Sequence, residues 1–296
     1  MNRDTRSMPP TRTATRAATD AEAGSTAPAR RPGGSDIGSR ILFALPLIAL
    51  ALFLVIEGGA IFAAGIFVIG CICMHELYGM YERTEPVRLA GFLALAGLIA
   101  AAAYGSPSAP TLVLLAASVV LPVLFAMTLA QRRPSVAGMA ITLLGIYWIG
   151  FGLAHAVLLR GLPHGNGIVI DVLVGTFLGD TGAYLGGRLF GRRPLAPGIS
   201  PNKTVEGLVI GMVCAVLAVW FAGRYQEWLP GAHALVLGLG VAVLAPIGDL
   251  FESFVKRQAG AKDTGSLLGA HGGVLDRLDA VLFTAVVGYY IWLAYV

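Results

Sequence analysis

A short stretch near the carboxyl end of the chain combines acidic and basic side chains between two long apolar runs. Its ionisable residues are Lys256, Arg257, Lys262, Asp263, His271, Asp276, Arg277 and Asp279. Carboxylates can hold a divalent cation, and the interleaved basic groups can hold phosphate. Gly265, Gly272 and Gly273 allow turns and close approach of the backbone. Because charged groups are costly within a lipid bilayer, the stretch predicts a site for a polar ligand.

Polar residues also recur at positions i, i+3, i+4 and i+7 in the segment that precedes this stretch, a spacing that places them on one helix face. They are Asp249, Glu252, Ser253 and Lys256. Asp276 and Asp279 lie three residues apart at the start of the next apolar segment. Two helices that each offer carboxylates predict a site for Mg²⁺, which prefers oxygen ligands and shares them with substrate phosphates. The alternative is an internal acid–lysine pair that only stabilises a membrane helix.

The same spacing occurs earlier in the chain, in a glycine-rich segment. The residues that share this face are Asp180, Ala183, Tyr184 and Gly187. The glycines alone are explained by close packing of membrane helices. A carboxylate on that face is not, because it needs a partner or a water-filled cavity. We therefore expect Asp180 to be functional.

A third polar group lies before the next apolar segment, and its residues are Ser200, Asn202, Lys203, Thr204 and Glu206. We expect them at a helix start, where free N–H groups and the helix dipole favour anions. The alternative is an ordinary helix cap with Glu206 in the first turn. A cap does not require a lysine, which the dipole disfavours there. Lys203 is therefore a candidate phosphate ligand.

Other polar residues allow less specific predictions. Glu76 lies near the end of an apolar segment, where it is a candidate for the wall of a cavity. His271, within His-Gly-Gly, is equally well explained by a turn and by a phosphate contact. His155, His164 and His233 are expected to be exposed at loops or helix ends.

The composition indicates the elements that position these residues. Hydrophobic residues make up 56% of the chain, charged residues 13%, and the mean hydropathy is +0.75; soluble domains carry roughly 25% charged residues. This composition excludes a separate soluble domain, and the scattered basic residues argue against nucleic-acid binding. Nine apolar segments follow a polar tail, near 41–56, 60–78, 89–104, 111–129, 138–159, 167–187, 205–222, 233–255 and 274–296. We predict an all-α integral membrane protein, a polytopic bundle of about nine transmembrane helices.

The tail, residues 1–40, is basic and lacks hydrophobic periodicity, so we expect it to be disordered. Residues 41–296 form the predicted membrane catalytic domain. If the N-terminus is cytoplasmic and nine spans alternate, 19 of the 21 Lys and Arg residues fall on the cytoplasmic side. Only Arg160 and Arg224 fall outside. The positive-inside rule supports this orientation, which places every charged motif on the cytoplasmic face.

The combined motifs resemble those of the phosphatidate cytidylyltransferases, the CDP-diacylglycerol synthases. The principal motif reads Ser253-x-x-Lys256-Arg257, then Lys262-Asp263-x-Gly265, then His271-Gly-Gly-x-x-Asp276-Arg277-x-Asp279. Asp180 with Ala183-Tyr184, and Ser200-Pro-Asn-Lys-Thr-x-Glu206-Gly, are similar to upstream elements of the same family. The resemblance covers residues 179–279, about a third of the chain, while the first four segments resemble nothing specific.

The resemblance implies a bacterial inner-membrane enzyme that joins CTP and phosphatidic acid into CDP-diacylglycerol and pyrophosphate. It also implies a divalent cation, usually Mg²⁺, and a homodimer; a second bound cation is the alternative to a single one. The family's metal-binding acids map onto Asp249 and Asp276; further candidate ligands are Asp279, Asp180 and Glu252. The candidate catalytic residues are Asp249, Asp276, Lys203, Lys256, Arg257, Lys262, Asp263 and Arg277. The candidate substrate-binding residues are Ser200, Asn202, Thr204, Ser253, His271, Gly272, Gly273, Asp180 and Tyr184.

Two other functions compete with this one. A related CTP-using membrane enzyme, such as a cytidylyltransferase for an ether lipid or a polyprenol kinase, would need a similar catalytic stretch. A transporter would also place charges within membrane segments. Against the transporter, the charges collect at one membrane face and no inverted repeat is found.

Overall fold

The computed structural model describes residues 35–106, 108–109, 111–113, 116, 135–265, 267 and 272–296. This part of the chain consists mainly of helices, with one small hairpin. The helices are α1 (Ser35–Glu57), α2 (Gly59–Met80), α3 (Arg88–Tyr104), α4 (Val136–Leu144), α5 (Phe151–Gly161), α6 (Gly165–Phe190), α7 (Val205–Gly223), α8 (Gly231–Gln258) and α9 (Leu275–Leu293). A π-helical turn, Gly145–Gly150, joins α4 and α5 into one rod, and a 3-10 turn, Glu82–Thr84, follows α2.

The prediction of an all-α polytopic membrane protein is confirmed. Among the described residues, five helical segments are long and apolar enough to cross a bilayer. They are α2, the rod Val136–Gly161, α6, α7 and α8. The fourth predicted segment, 111–129, lies mostly outside the described residues, so the total of nine spans stays a prediction. Helix α1 begins at Ser35, ahead of the predicted start near 41, and the tail before it lies outside the described residues.

The segment between α6 and α7 forms a hairpin that the sequence analysis does not predict. Strand β1 (Pro194–Ala196) pairs antiparallel with β2 (Ser200–Thr204), and Pro194 lies opposite Thr204. The expectation that Ser200, Asn202 and Lys203 lie at the start of α7 is therefore wrong. They lie on a strand, and the helix begins only at Val205.

The local sequence explains both the hairpin and its end. Proline is unfavourable within a helix; Pro197 begins the connection between the strands, and Pro201 lies within β2. Pro197 is followed by Gly198, a pair typical of turns. The Thr204 hydroxyl then accepts a hydrogen bond from the Gly207 N–H at 3.1 Å and caps α7. The capping alternative is thus confirmed for Thr204.

Helices α6 and α7 pack closely through small residues. A Cβ atom added at Gly182 would lie 2.6 Å from Cys214 Sγ, and one added at Gly211 would lie 2.6 Å from the Cβ of Ala183. In a bilayer, helices gain little from the hydrophobic effect and associate through such packing instead. The close contact fixes the rotation of α6, so the neighbouring face with Asp180 is held toward α8 and the hairpin.

A second packed region lies between α2, α3 and the rod formed by α4 and α5. Its fully buried side chains include Met74, Leu77, Leu95, Ile146 and Ile149. His155 is also buried in the rod, with 2% of its surface exposed. One ring nitrogen lies 2.9 Å from the Phe151 carbonyl oxygen and the other 3.3 Å from the Tyr290 hydroxyl. The prediction that His155 is exposed is therefore wrong, because these two partners allow the imidazole to be buried.

Candidate active site

A cavity of about 620 Å³ lies between α6, α7, α8 and the hairpin. Its polar lining residues are Asp180, Tyr184, Arg188, Ser200, Asn202, Lys203, Thr204 and Asp249. Much of the opposite lining is small and apolar, and includes Gly211, Ala215, Ala242 and Ala245. The size is typical of a small-molecule site. The cavity can therefore accept a ligand that has both a charged and an apolar part.

The residues predicted to share one face of α6 do so. Asp180, Ala183, Tyr184 and Gly187 all line the cavity. Across it, the Lys203 ammonium on β2 forms an ion pair with Oδ2 of Asp249 on α8. Both side chains remain partly exposed, at 28% for Lys203 and 31% for Asp249. The hairpin therefore brings the Lys203 ammonium to the Asp249 carboxylate. Lys203 was expected at the start of a helix, and it lies on a strand instead.

Three carboxylates meet at the interface of α8 and α9. Asp249, Glu252 and Asp279 each place an oxygen within 4.8 Å of the others, and we call them the acidic cluster. Glu252 is 1% exposed, and its Oε1 has no hydrogen-bond partner among the described residues. A buried carboxylate oxygen without a donor is costly. Because hard divalent cations bind such oxygens, this set of ligands fits Mg²⁺.

The prediction that α8 and α9 each supply carboxylates to one interface is therefore confirmed, but the grouping differs from the predicted one. Asp276 was predicted as a metal ligand together with Asp249, and it is not a member of the acidic cluster. Its Oδ1 accepts a hydrogen bond from the Lys256 ammonium at 2.7 Å, and the same ammonium lies 2.7 Å from Glu252 Oε2. Lys256 thus connects the acidic cluster to Asp276.

The second oxygen of Asp276 is bound by the loop before α9. It accepts hydrogen bonds from the Gly273 N–H at 2.8 Å, from the Thr264 N–H at 2.9 Å and from the Thr264 hydroxyl at 3.0 Å. The same hydroxyl lies 3.2 Å from Oε2 of Glu76 on α2, so its single proton is shared between the two carboxylates. We call Glu76, Thr264, Gly273, Asp276 and Lys256 the buried network. Thr264 is not identifiable from the sequence, because a lone threonine in a loop carries no pattern.

The glycines of the motif allow this loop to approach the acids. Gly272 has φ +79°, a conformation that side chains rarely adopt. A Cβ atom added at Gly273 would lie 2.5 Å from Oε2 of Glu76. The predicted need for turns and close backbone approach is confirmed at both positions.

Two charged residues hold the hairpin in place. Glu206 accepts hydrogen bonds from the N–H groups of Arg192 and Arg193 at 3.0 and 3.1 Å, at the base of the hairpin. Arg257, at the end of α8, donates to the carbonyl of Ile199 at 3.2 Å and to that of Ala261 at 3.3 Å. Arg257 was predicted as catalytic, whereas its described contacts are with the backbone of the hairpin and of the following loop.

The remaining predicted site residues lie outside the cavity lining. Lys262 and Asp263 are exposed in the loop after α8, and Arg277 is exposed in the first turn of α9. Ser253 is half-buried on α8. His271 lies outside the described residues, so its predicted role stays a prediction.

Comparison with known proteins places the chain among enzymes. Residues 38–295 match the cytidylyltransferase family. A phosphatidate cytidylyltransferase of Bacillus subtilis is 32% identical over 266 residues, which cover 86% of this chain and 97% of that protein. A phosphatidate cytidylyltransferase of Staphylococcus epidermidis is 32% identical over 255 residues, 80% of this chain and 92% of that protein.

A shorter match has a higher identity. A phosphatidate cytidylyltransferase of Helicobacter pylori is 46% identical over 120 residues, which cover 40% of this chain and 44% of that protein. The family match spans the described helices that carry the cavity, the acidic cluster and the buried network. The chain belongs to the cytidylyltransferase family.

Proposed function

We propose that the chain transfers the cytidylyl group of CTP to phosphatidate, giving CDP-diacylglycerol and pyrophosphate. The observation that carries the proposal is the position of Asp249, which lines the cavity and also belongs to the acidic cluster. A phosphate in the cavity would therefore lie beside a cation site and beside Lys203. The named relatives and the family match support the same reaction.

The reaction requires little from the protein beyond positioning and charge neutralisation. An oxygen of the phosphatidate phosphate attacks the α-phosphorus of CTP, and the bond to the leaving pyrophosphate breaks. That oxygen is largely ionised at pH 7, because the second pKa of a phosphate monoester is about 6. No protein nucleophile is needed, but two anions have to be held together.

The side chains divide this task. Lys203 contacts phosphate, and Asp180 with Tyr184 contacts the substrate across the cavity. The small apolar wall accepts the hydrophobic part of phosphatidate. A divalent cation held by Asp249, Glu252 and Asp279, which we take to be Mg²⁺, supplies further neutralisation of phosphate charge when bound.

We also propose that the site faces the cytoplasm of a bacterial cell and that the active form is a homodimer. The distribution of basic residues supports the orientation. Cysteines introduced at Gly198, where a side chain meets open space, and at Ala261 should react in intact cells only with membrane-permeant reagents. Labelling of either by an impermeant maleimide would contradict the orientation.

Position-specific labelling of CTP distinguishes the proposed reaction from its closest competitor. Purified protein is incubated with Mg²⁺, phosphatidate and CTP labelled on either the α- or the γ-phosphate. Cytidylyl transfer puts the α-label into the lipid and the γ-label into pyrophosphate, whereas a lipid kinase puts the γ-label into the lipid. Polyprenol and an ether-linked phosphatidate analogue serve as alternative acceptors. Transfer of the γ-label, or a clear preference for another acceptor, would contradict the proposal.

A further inference from the structure

We propose that Glu76, outside the recognised catalytic motifs, is a positioning residue for the acidic cluster. It lies on α2, almost 200 residues before the helix that it contacts. Its side chain is buried, with 7% of its surface exposed. The inference rests on the proposed function, because it concerns the cation site of that reaction.

Both carboxylate oxygens of Glu76 bind the start of α9. Oε1 accepts a hydrogen bond from the Val274 N–H at 2.9 Å, and Oε2 accepts one from the Leu275 N–H at 2.8 Å. The first N–H groups of a helix lack partners within the helix and are usually satisfied by a capping side chain. Here Val274, the residue at the cap position, makes no side-chain capping bond. Glu76 therefore replaces the local cap, with a negative charge at the positive end of the helix dipole.

The helix end that Glu76 holds carries Asp276 and Asp279. Asp276 lies in the first turn and accepts bonds from Thr264, which Glu76 also binds. Asp279, one turn further along, belongs to the acidic cluster. Because the helix is rigid over this distance, the two bonds from Glu76 set how far α9 extends toward α8. The spacing of Asp279 from Asp249 and Glu252 follows from that setting.

The end of α2 also holds the other helix of the cluster. The Tyr81 hydroxyl donates a 2.8 Å hydrogen bond to the carbonyl oxygen of Val255 on α8. Burial raises the pKa of Tyr81, so the phenol stays protonated and remains a donor. Two residues at one helix end thus bind the two helices that supply the carboxylates, which gives the N-terminal part of the chain a role in the geometry of the site.

The test measures cation affinity directly in the full-length protein in detergent. Mn²⁺ is titrated and its free fraction is followed by electron paramagnetic resonance, with Mg²⁺ as competitor. Glu76→Gln keeps the side-chain length but replaces one acceptor with an amide donor that opposes a backbone N–H. It should weaken Mn²⁺ binding about 10-fold, the lower end of the range for residues that orient metal ligands. The Mg²⁺ concentration needed for half-maximal turnover should rise in parallel.

Control variants separate the outcomes. His75→Gln changes the exposed neighbour of Glu76 and should leave Mn²⁺ affinity unchanged. If Glu76→Gln does not fold, Thr264→Val removes only the shared hydroxyl and should weaken binding in the same direction. The inference is overturned if folded Glu76→Gln binds Mn²⁺ as tightly as the wild type. If Glu76→Gln does not fold, unchanged Mn²⁺ affinity in folded Thr264→Val overturns it instead. An equal loss of Mn²⁺ affinity in His75→Gln overturns it as well. If the wild type binds no Mn²⁺, or Asp249→Asn retains full affinity, the proposed cation site fails as well, so the two failures are distinguishable.

Discussion

Two lysines that contact carboxylates near the site differ in their surroundings. Lys203 meets Asp249 at the cavity, where both side chains are almost a third exposed. Lys256 lies between Glu252 and Asp276, and its side chain is 13% exposed while those of the two acids are 2% and 7% exposed. The first contact joins a hairpin to a helix, and the second joins α8 to α9 inside the protein.

The difference indicates which lysine can change partners during the reaction. An exposed ion pair contributes about 0–1 kcal/mol, so Lys203 can leave Asp249 for a substrate phosphate at little cost. A buried pair is different, because removal of one partner leaves an uncompensated charge. Lys256 therefore has a structural task that has to be complete before any substrate arrives.

The largest expected effect is on the buried side of this comparison. Lys256→Met keeps much of the side-chain volume but leaves Glu252 and Asp276 without their shared cation. We expect a loss of about 3–5 kcal/mol in stability, the range for a broken buried ion pair. Thermal unfolding in detergent, followed by intrinsic fluorescence, measures the effect. Lys262→Met, at an exposed lysine of the same stretch, should leave the midpoint unchanged, and equal midpoints in all three proteins would remove the structural role of Lys256.

Asp249→Asn should separate activity from stability. The variant keeps the shape of the side chain and removes the charge shared by the cavity and the acidic cluster. We expect at least a ~100-fold loss of turnover, the scale of about 2.7 kcal/mol seen when a preorganised electrostatic group is removed. Its unfolding midpoint should stay near that of the wild type, whereas Asp276→Asn should lose both activity and stability.

Raised Mg²⁺ should restore part of the activity of Asp249→Asn if Glu252 and Asp279 still bind the cation weakly. Turnover is therefore measured across a Mg²⁺ titration at fixed CTP and phosphatidate. Near-normal turnover of Asp249→Asn at low Mg²⁺ would exclude this carboxylate from the cation site.

Helical spacing made part of the site predictable. Asp180 and Tyr184 share a face because four residues make roughly one helical turn, and this holds wherever the helix lies. The same reasoning places Asp249 and Glu252 together on α8. Carboxylates recur at helical spacing near the end of α8 and at the start of α9, which is consecutive in the chain, so both helices could be expected to supply one interface.

The rest depends on contacts that spacing does not encode. Asp276 and Asp279 are both acids at the start of α9, and nothing in the sequence tells their roles apart. The structure does, because Asp276 binds Lys256 and Thr264, whereas Asp279 belongs to the acidic cluster. The capping contact of Glu76 joins segments that are far apart in the chain. The Pro197-Gly198 pair is typical of a turn, but the hairpin is also held by Glu206 and Arg257, and helical spacing does not encode those contacts.

Lys203→Met tests the exposed side of the comparison. The variant removes the ammonium that we expect to contact phosphate, and hydrogen bonds to charged groups contribute about 1.5–3 kcal/mol. We therefore expect kcat/KM for CTP to fall about 10- to 100-fold. The unfolding midpoint and the Mg²⁺ optimum should change little. A large drop in stability would show that Lys203 is held as rigidly as Lys256 and would remove the contrast between them.

The smallest effect is expected at Arg257, and it tests whether this residue acts on substrate or on the hairpin. Its Nε and Nη1 donors bind the carbonyls of Ile199 and Ala261, which holds the guanidinium at the hairpin. Arg257→Lys keeps the charge but loses the planar set of donors. The lost backbone bonds are exposed and contribute about 0.5–1.5 kcal/mol, which predicts at most a ~10-fold rise in the KM for CTP with turnover at saturation preserved. If Arg257→Lys instead loses much of its turnover at saturating CTP although the charge is kept, Arg257 would be assigned to the reacting phosphates.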